Sequence, residues 1–379
     1  KHHNWYIRQW LLLPSVIILL KFGYKIKAKI IKNKDTQTEL AERLQYLSGL
    51  GQVINSYFLE EKNSWTKHLM SSIKEAESYN PWFTKENIEN ALKYWSKKLN
   101  IKTLEDWISK YEMKSNNSKV AIIMAGNFPL AGFHDFISVF LSGNIALVKP
   151  SSDDKILISF FINFLKTNYP KTNNLIQISQ GKLIEFDKVI ATGSNNTFNY
   201  FEYYFRNKKS ILRKNRNSLA VLDGNESKQQ IKNLSKDIFQ YFGLGCRNVS
   251  KIFIPYDYDL KIFSEGFKDR EEIINHNKYC NNYNYYKTIK IMNNEKFIDN
   301  QFYLLEESKE FSPPISVIYY EFYDRIYDVV KIINENDENI QCVVSHCDIK
   351  NKINFGNAQN PKLSDYSDNI DTLEFLLTK

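Results

Sequence analysis

The segment YFGLGCRNVSK contains Cys246, the residue of this chain best suited to nucleophilic chemistry. Cysteine in a folded protein is usually buried as a small apolar side chain. Here its neighbours are Gly245 and Arg247, a small residue and a cation, which suit a sulfur that a substrate can reach. A thiol needs a lowered pKa or a nearby base to act as a nucleophile. We therefore treat Cys246 as a candidate nucleophile that is ionised and open to a cleft, with an inert core cysteine as the alternative.

A thiol that attacks a carbonyl also needs hydrogen-bond donors for the oxyanion that forms. Asn127 directly follows the apolar run KVAIIMAG, and its side-chain amide is one candidate donor, with the backbone N–H of Cys246 as the second. The alternative is that Asn127 only shapes a turn. Spacing pairs neither His134 nor His276 with Cys246, and we interpret His134 as a helix histidine whose hydrogen bonds are satisfied.

The cysteine count indicates free thiols. Cys246, Cys280, Cys342 and Cys347 are too few for a disulfide framework in a chain of 379 residues, which favours a reducing compartment such as the cytoplasm. Cys342, His346 and Cys347 are ligand types, but they lack a recognisable metal-binding spacing. We expect no metal site.

Charge and composition exclude some classes of partner. The formal net charge is +8, with the basic residues scattered along the chain. Such a balance can attract an anionic nucleotide or coenzyme, although solvated surfaces explain most of it. The sequence has no zinc-finger spacing, no aromatic stripe typical of RNA-binding sheets and no arginine-rich helix. Nucleic acid is therefore not an expected partner.

The first 38 residues differ from the rest. Their apolar run, residues 11–20, contains Pro14 and is shorter than the roughly 20 residues that span a bilayer. We expect residues 1–38 to be a non-native or poorly ordered extension without an integral membrane span. An interfacial anchor is the weaker alternative.

Periodicity predicts the elements that must position Cys246 and Asn127. Residues 39–111 have apolar spacing typical of helices, with Thr84 as a candidate N-cap. From Ser118, short apolar strands alternate with helices, which predicts a parallel sheet covered on both faces. The polar segments AGN, VKPSS and ATGSNN follow three of these strands, where ligands bind in such sheets. A second α/β run begins at NSLAVLDG and contains the Cys246 turn, and the chain is expected to end on a strand.

Six segments, in this order, carry a family resemblance: AGNFPLAGFHDF, ALVKPSSDDK, VIATGSNNTFNYFEYYF, RKNRNSLAVLDGNE, DIFQYFGLGCRNVSK and FGNAQNPKLSDYSDNIDTLEFLL. From about Leu40 to Leu377 the chain resembles the LuxC-type acyl-CoA reductases, a branch of the aldehyde dehydrogenase superfamily. The resemblance implies an α/β fold with two Rossmann-like domains, for cofactor and catalysis, and a small oligomerisation element. On this basis we expect a helical region at 39–117, an NAD(P)-binding domain at 118–217, a catalytic domain at 218–345, and a C-terminal return with an oligomerisation strand at 346–379.

The resemblance also implies roles for individual residues. Cys246 matches the nucleophile and Asn127 the oxyanion-hole asparagine. Lys149 matches a lysine that contacts the adenosine ribose, and Glu310 loosely matches a glutamate that holds the nicotinamide ribose. The implied cofactor-binding residues are Lys149, Ser151, Ser152, Gly193, Ser194 and Glu310.

Two departures from the superfamily pattern bear on the reaction. Ser152 stands where many NAD-using relatives have a glutamate that repels a 2′-phosphate, so NADPH is the expected cofactor, although Asp153 and Asp154 follow at once. Val221 stands where hydrolytic relatives have a general-base glutamate, with Asp223 nearby but shifted. Without that base the acyl group is expected to pass to or from a thiol instead of water.

The function implied is NADPH-dependent reduction of a fatty acyl thioester to the aldehyde through an S-acyl-cysteine. The nearest alternative is an NAD(P)-dependent aldehyde dehydrogenase, and another is a membrane-associated interaction protein. Expected partners are acyl-CoA or an acyl-protein, further copies of the chain, and an acyltransferase or synthetase. Arg213, Lys214 and Arg216 are either phosphate contacts or a solvated strand edge, and the aromatic group FNYFEYYF is interpreted as core.

Overall fold

The computed structural model describes residues 34–114, 117–179 and 181–378. The expectation of an extension at residues 1–38 lies mostly outside the described residues. The part of it that is described begins a helix at Lys34, so the boundary expected at residue 38 falls inside that helix. No helix in the described ranges has the length and apolarity that a membrane crossing requires.

The helical region forms as its periodicity predicts. Thr84 is the N-cap expected from the sequence, since its hydroxyl accepts a hydrogen bond from the Asn87 N–H at 3.3 Å. Apolar residues of these helices, among them Leu44, Leu47 and Leu92, are buried in one core that also covers a face of the first sheet. The helices are α1 (Lys34–Phe58), α2 (Ser64–Tyr79), α3 (Lys85–Lys98) and α4 (Ile101–Ile108).

Within the described residues the strands form two sheets, and the first is parallel throughout, in the order β3-β2-β1-β4-β5. Residues of β1 alternate between two cores, with Val120 and Ile122 on the helical face and Ala121 on the other. The strands are β1 (Lys119–Ile123), β2 (Ile145–Lys149), β3 (Ile176–Ile178), β4 (Lys188–Thr192) and β5 (Lys209–Arg213). The helices between them are α5 (Phe133–Leu141), α6 (Lys155–Asn168) and α7 (Asn195–Phe205).

The second sheet has the order β11-β6-β7-β10-β9-β8 and is parallel except for the β8–β9 pair. Its strands are β6 (Asn217–Val221), β7 (Val249–Pro255), β8 (Ile298–Asp299), β9 (Leu304–Glu307), β10 (Val317–Tyr323) and β11 (Ile340–Ser345). The helices are α8 (Lys228–Phe239), α9 (Lys261–Gly266), α10 (Asn277–Met292) and α11 (Ile326–Glu335). Parallel sheets with helices on their faces confirm the α/β class expected from the sequence.

The expectation that the chain closes on a strand is wrong. Residues 372–377 instead form helix α12 (Thr372–Leu377), with Asp371 as its N-cap accepting from the Glu374 N–H at 3.0 Å. Leu373 and Leu376, three residues apart, are fully buried in the core of the first sheet. The helix forms because this spacing places both leucines on one face.

The interpretation of FNYFEYYF as core is wrong for most of its residues. Every residue of α7 is at least partly exposed. Phe201 and Phe205 pack against the first sheet, but Tyr200, Tyr203 and Tyr204 are 66%, 64% and 71% exposed. The helix packs on the sheet through one narrow apolar face, so the three tyrosines face solvent.

Candidate active site

A strained turn presents Cys246 at the entrance to β7. The chain leaves α8, and Tyr241, Phe242 and Gly243 adopt φ values of 54°, 59° and 75°. This left-handed region suits glycine, but the two aromatic residues occupy it at a cost in free energy of about 1–3 kcal/mol each. Such strain is usual where a protein must aim a functional side chain. The turn leaves Cys246 half-buried and not within the core.

Asn248 fixes the shape of the turn from inside. Its Oδ1 accepts from the Gly245 N–H at 2.8 Å. A Cβ atom at Gly245 would lie 2.9 Å from the same Oδ1, so a larger residue would displace the amide that organises the turn. The Asn248 Nδ2 donates to three carbonyls at the end of α8, those of Asp237, Ile238 and Gln240.

The loop that follows β1 brings Asn127 to this turn. The Asn127 Nδ2 donates to the Leu244 carbonyl at 2.6 Å, and the ring of Phe128 stacks on Tyr241 with centroids 5.0 Å apart. One amide hydrogen of Asn127 is therefore engaged by the cysteine turn, and the second remains for a substrate oxygen. The Cys246 N–H donates to no acceptor within the described ranges. Both donors expected from the sequence lie next to the same thiol-bearing turn.

The amino ends of β6 and β7 lie next to the backbone of Cys246. The Ser218 hydroxyl donates to the Cys246 carbonyl at 2.9 Å. The Ser250 hydroxyl donates to the Phe311 carbonyl at 2.8 Å, which holds the stretch KEFSPP against the same edge. Glu310, within that stretch, is exposed. The structure thus places Glu310 on the Cys246 side of the second sheet.

The C-terminal segment FGNAQNP packs against the same turn. The Asp237 carboxylate accepts from the N–H groups of Gly356 and Ala358 at 2.6 and 2.9 Å. The Arg247 Nε donates to the Ala358 carbonyl at 2.6 Å. Asp237, on α8 before the turn, and Arg247, after Cys246, therefore bind the same short stretch of backbone. Burial raises the pKa of Asp237 to about 6, although the two backbone donors oppose that rise.

The surroundings of Cys246 disfavour the ionised thiol, contrary to the expectation from sequence. Burial raises its pKa to about 11, and the charge of Arg247 lowers it only in part. Cys342 and the Asp368 carboxylate raise the pKa further. Chemistry at Cys246 therefore needs a proton acceptor or a change of environment when ligands bind.

We expect the alkylation of Cys246 by iodoacetamide to rise about tenfold per pH unit and to keep rising above pH 9, because only the thiolate reacts. The profile of an unperturbed thiol has its midpoint at about pH 8.5 and levels off roughly one pH unit above it. Mass spectrometry of the Cys246 peptide, with Cys246→Ser as blank, measures the profile. Asp368→Asn removes a charge that raises the pKa, so its profile should shift to lower pH. A plateau near pH 8 in the wild type would contradict this environment.

Most of the predicted cofactor residues lie at the carboxyl edge of the first sheet. Lys149 ends β2, and its ammonium group makes no ion pair within the described ranges. Ser151 caps the following turn by accepting from the Asp153 N–H at 3.2 Å, and Ser152 is exposed beside it. A Cβ atom at Gly126 would clash with the Ser151 side chain. The loops after β1 and β2 therefore pack closely, with no room for a side chain at Gly126.

Gly193 and Ser194 form the start of α7 after β4. A Cβ atom at Gly193 would lie 3.0 Å from Thr197, which leaves little room for any other residue. The Ser194 hydroxyl accepts from the Thr197 N–H at 3.3 Å as the N-cap. The order β3-β2-β1-β4-β5 reverses between β1 and β4, so this helix start lies at the crevice where dinucleotides bind. A free cation, a helix N-terminus and a close-packed glycine together fit a dinucleotide with a pyrophosphate.

Neither Val221 nor Asp223 offers a base to Cys246. Val221 is fully buried among apolar residues at the carboxyl end of β6, whereas Cys246 contacts Ser218 near the amino end. Asp223 follows that strand, and its Oδ1 accepts from the Asn225 N–H at 2.9 Å as a turn residue. The general-base position is therefore without a carboxylate that reaches the thiol from this strand.

Both interpretations of the basic cluster at residues 213–216 are wrong for its arginines, which are buried and committed to internal partners. Arg213 donates to the Asp135 carboxylate at 2.7 and 2.8 Å. Arg216 donates to the carbonyls of Asp337 and Ile340 at 2.9 and 3.1 Å. Lys214 alone of these residues has the surface ion pair expected of a solvated edge, with Glu338 at 3.6 Å.

His134 has the structural role expected of it. Its Nε2 lies 2.9 Å from the Leu363 carbonyl, and its ring packs against Trp107 and Tyr366. Burial lowers the pKa of His134, so the ring is neutral at physiological pH. It belongs to the contact between α5 and the C-terminal segment.

Sequence reasoning missed Asp368 and Ser218. Asp368 lies 122 residues beyond Cys246 and has a φ of 59°. Burial raises the pKa of its carboxyl group, while Arg213 and Arg216 lower it. Its only sequence signal was its place within SDYSDN, in the last segment that carries the family resemblance. Ser218 carried no signal beyond lying in an apolar strand.

Comparison with known proteins supports the assignment of fold and family. A sequence profile described as "Acyl-CoA reductase (LuxC)" matches residues 57–357, well over half of the chain. No curated protein matches by sequence. Solved structures match by shape at low identity, which shows the fold alone.

An NAD-dependent aldehyde dehydrogenase from Sinorhizobium meliloti has a TM-score of 0.61 at 11% identity, over 82% of this chain and 71% of that one. Aldehyde dehydrogenase 21 from Physcomitrella patens, solved with the reaction product succinate, has a TM-score of 0.59 at 11% identity, over 83% and 74%. The aldehyde dehydrogenase from Bacillus cereus, solved with NAD⁺, gives 0.56 at 14%, over 82% and 72%. The chain has the aldehyde dehydrogenase fold and belongs to the acyl-CoA reductase (LuxC) family.

Proposed function

We propose that this chain reduces a fatty acyl thioester to the aldehyde through an S-acyl intermediate on Cys246. The proposal rests on one observation. The Asn127 Nδ2 donates a hydrogen bond to the Leu244 carbonyl, in the Cys246 turn, at 2.6 Å. That contact joins the carboxyl edge of one sheet to the amino edge of the other. This contact supports a site in which Cys246 is the nucleophile and the Asn127 amide and the Cys246 N–H are the oxyanion donors, beside the proposed dinucleotide crevice.

The first half-reaction is acyl transfer to sulfur. The Cys246 thiol must lose its proton first, because burial keeps its pKa near 11. The proton lost from Cys246 is balanced by the one that the departing carrier thiolate takes up. The thiolate attacks the thioester carbon, and the Asn127 amide and Cys246 N–H stabilise the oxyanion. The bond to the carrier sulfur then breaks, and the carrier thiolate leaves.

The second half-reaction releases the acyl group as aldehyde: once hydride is added to the acyl carbon, the carbon–sulfur bond to Cys246 breaks and the sulfur takes up a proton. When bound, a nicotinamide cofactor supplies the hydride. Lys149 would hold it toward the adenosine ribose, Gly193 and Ser194 at the pyrophosphate, and Glu310 toward the nicotinamide ribose. Ser152 in place of a carboxylate supports NADPH, since a hydroxyl can donate to a 2′-phosphate. Val221 offers no base to activate water, which favours attack on the acyl carbon by a thiol or by hydride over hydrolysis.

The substrate and partners are proposed on the same grounds. We take a long-chain acyl-CoA or acyl-protein as donor and a homo-oligomer as the assembly, with an acyltransferase or synthetase supplying the acyl group. The opposite direction, oxidation of an aldehyde with NAD(P)⁺, uses the same nucleophile. Its product distinguishes it from acyl thioester reduction.

The proposal is tested with purified protein, a panel of acyl-CoA chain lengths, and NADPH or NADH. Loss of cofactor absorbance matched by aldehyde formation is expected, together with one equivalent of free CoA when cofactor is omitted. Formation of free acid from aldehyde and NAD(P)⁺, without added thiol, would instead establish an aldehyde dehydrogenase. Absence of both reactions across the panel would overturn the proposal.

A further inference from the structure

A second cluster of reactive side chains lies at the opposite edge of the second sheet. Asp223 follows the carboxyl end of β6, and His346 and Cys347 follow the carboxyl end of β11. The two strands are neighbours, with Val221 paired to Ser345. Cys246 contacts Ser218 at the amino end, so about five residues of strand, roughly 16 Å, separate the cluster from the nucleophile. The cluster is not part of the proposed active site.

The donor atoms of Asp223, His346 and Cys347 converge. One carboxylate oxygen, one ring nitrogen and the thiol sulfur all lie within 4.8 Å of one another. The His346 Nε2 lies 3.0 Å from the Asp223 Oδ1. A tetrahedral zinc ion with bonds of about 2.0–2.3 Å requires donors about 3.3–3.8 Å apart. The donor distances in the cluster, 3.0 Å for one pair and at most 4.8 Å for any, bracket that spacing.

Glu226 completes the arrangement from behind. Its carboxylate accepts from the N–H groups of Asp223 and Gly224 at 2.8 and 3.2 Å, and the side chain is 1% exposed. It therefore has a fixed position, with Oε1 3.5 Å from the His346 Nδ1. Histidines that bind metal through one nitrogen usually donate the other N–H to a carboxylate. Glu226 is placed for that supporting role, and His346 faces the cluster through Nε2.

The side chains of the cluster carry more negative than positive charge. Two carboxylates, Asp223 and Glu226, face one imidazole across 3.0 and 3.5 Å. The His346 Nδ1 is buried and makes no hydrogen bond within the described residues. Lys352 lies beside the turn, but its ammonium group donates to the His346 carbonyl at 2.7 Å and to the Cys347 carbonyl. A divalent cation between the donors supplies the missing positive charge at the side chains themselves.

We propose that Asp223, His346 Nε2 and Cys347 bind a zinc-type divalent cation, with Glu226 orienting His346 and water in the fourth position. The donor set combines sulfur, imidazole and carboxylate, which zinc accepts and magnesium or calcium does not. The Cys347 thiol releases its proton to solvent on binding. The ion would tie the ends of β6 and β11, whose ligands lie 123 residues apart in the chain.

Binding is tested on the full chain, stripped with chelator and then equilibrated with Zn²⁺ or Co²⁺. We expect one zinc per chain by elemental mass spectrometry after dialysis, a higher unfolding temperature with zinc, and a thiolate-to-cobalt charge-transfer band with Co²⁺. Wild-type protein that retains no metal after dialysis would overturn the proposal whatever the variants do.

Matched variants separate this cluster from the other cysteines. Cys347→Ser should abolish the cobalt band, whereas Cys246→Ser and Cys342→Ser should retain it. Glu226→Gln should keep the band and weaken zinc binding about 10–100-fold. Circular dichroism establishes that each variant is folded. A band lost in Cys246→Ser but kept in Cys347→Ser would place the metal at the nucleophile and refute the assignment.

Discussion

Replacement of Cys246 by Ala is expected to abolish acyl-enzyme formation and to reduce acyl-CoA reduction by at least about a thousandfold. No other thiol shares its position between Asn127 and the amino ends of β6 and β7 within the described residues. Incubation with acyl-CoA without cofactor, followed by intact-mass spectrometry, should show one added acyl group on wild type and none on the variant.

The matched control is Cys342→Ala. Cys342 lies close to Cys246 on β11, where its thiol is 3.1 Å from the Ser218 hydroxyl. It is half-buried like Cys246 but lies on β11 and not in the turn that Asn127 contacts, so its variant should keep acylation. Full acylation of the Cys246→Ala variant, or loss of acylation in Cys342→Ala alone, would move the nucleophile to the second cysteine.

Replacement of Asn127 by Ala is expected to lower the rate of acylation about 100–1,000-fold, equivalent to about 3–4 kcal/mol of transition-state stabilisation. The amide donates to the oxyanion only while charge develops on it, so the loss should fall on the maximal rate more than on the apparent substrate affinity. Rapid mixing with acyl-CoA, following CoA release, separates the two.

The same amide also holds the Leu244 carbonyl, so the variant could act by loosening the turn. Phe128→Leu is the matched control, because it removes the stacking on Tyr241 and leaves the amide in place. If Asn127 acts on the oxyanion, Phe128→Leu should retain most activity. Equal losses in both variants, or an unchanged rate in Asn127→Ala, would contradict the oxyanion role.

The two sheets contribute different parts of the proposed site, so mutations of the proposed cofactor residues in the first sheet should affect cofactor binding and mutations of the turn in the second should affect acylation. The first sheet supplies Asn127, Lys149 and Ser194 from the loops after its strands. The second supplies the thiol from a turn that precedes β7. The contact of Asn127 with Leu244 is where the two sets meet, so the site exists only when both sheets are folded and apposed.

The sequence by itself determined the local elements and their class. Continuous apolar runs of strand length predicted β1, β2 and β4, and helical spacing predicted α5, α6 and α8, because such local patterns reflect burial against neighbouring elements. Polar residues such as Asn127 and Ser194 at strand ends were recognised because parallel strands place their carboxyl ends together. The Thr84 cap followed from the same local rules.

Only the tertiary structure decided the environments of these residues. Arg213 is buried because Asp135, 78 residues away, neutralises it, and no local pattern encodes that pairing. The Cys246 thiol is protonated because packing around the turn desolvates it, and a flanking Arg247 is too weak to reverse the effect. Asp223 and His346 meet because β6 and β11 are neighbours. Charge, pKa and ligand geometry depend on long-range contacts, which periodicity does not contain.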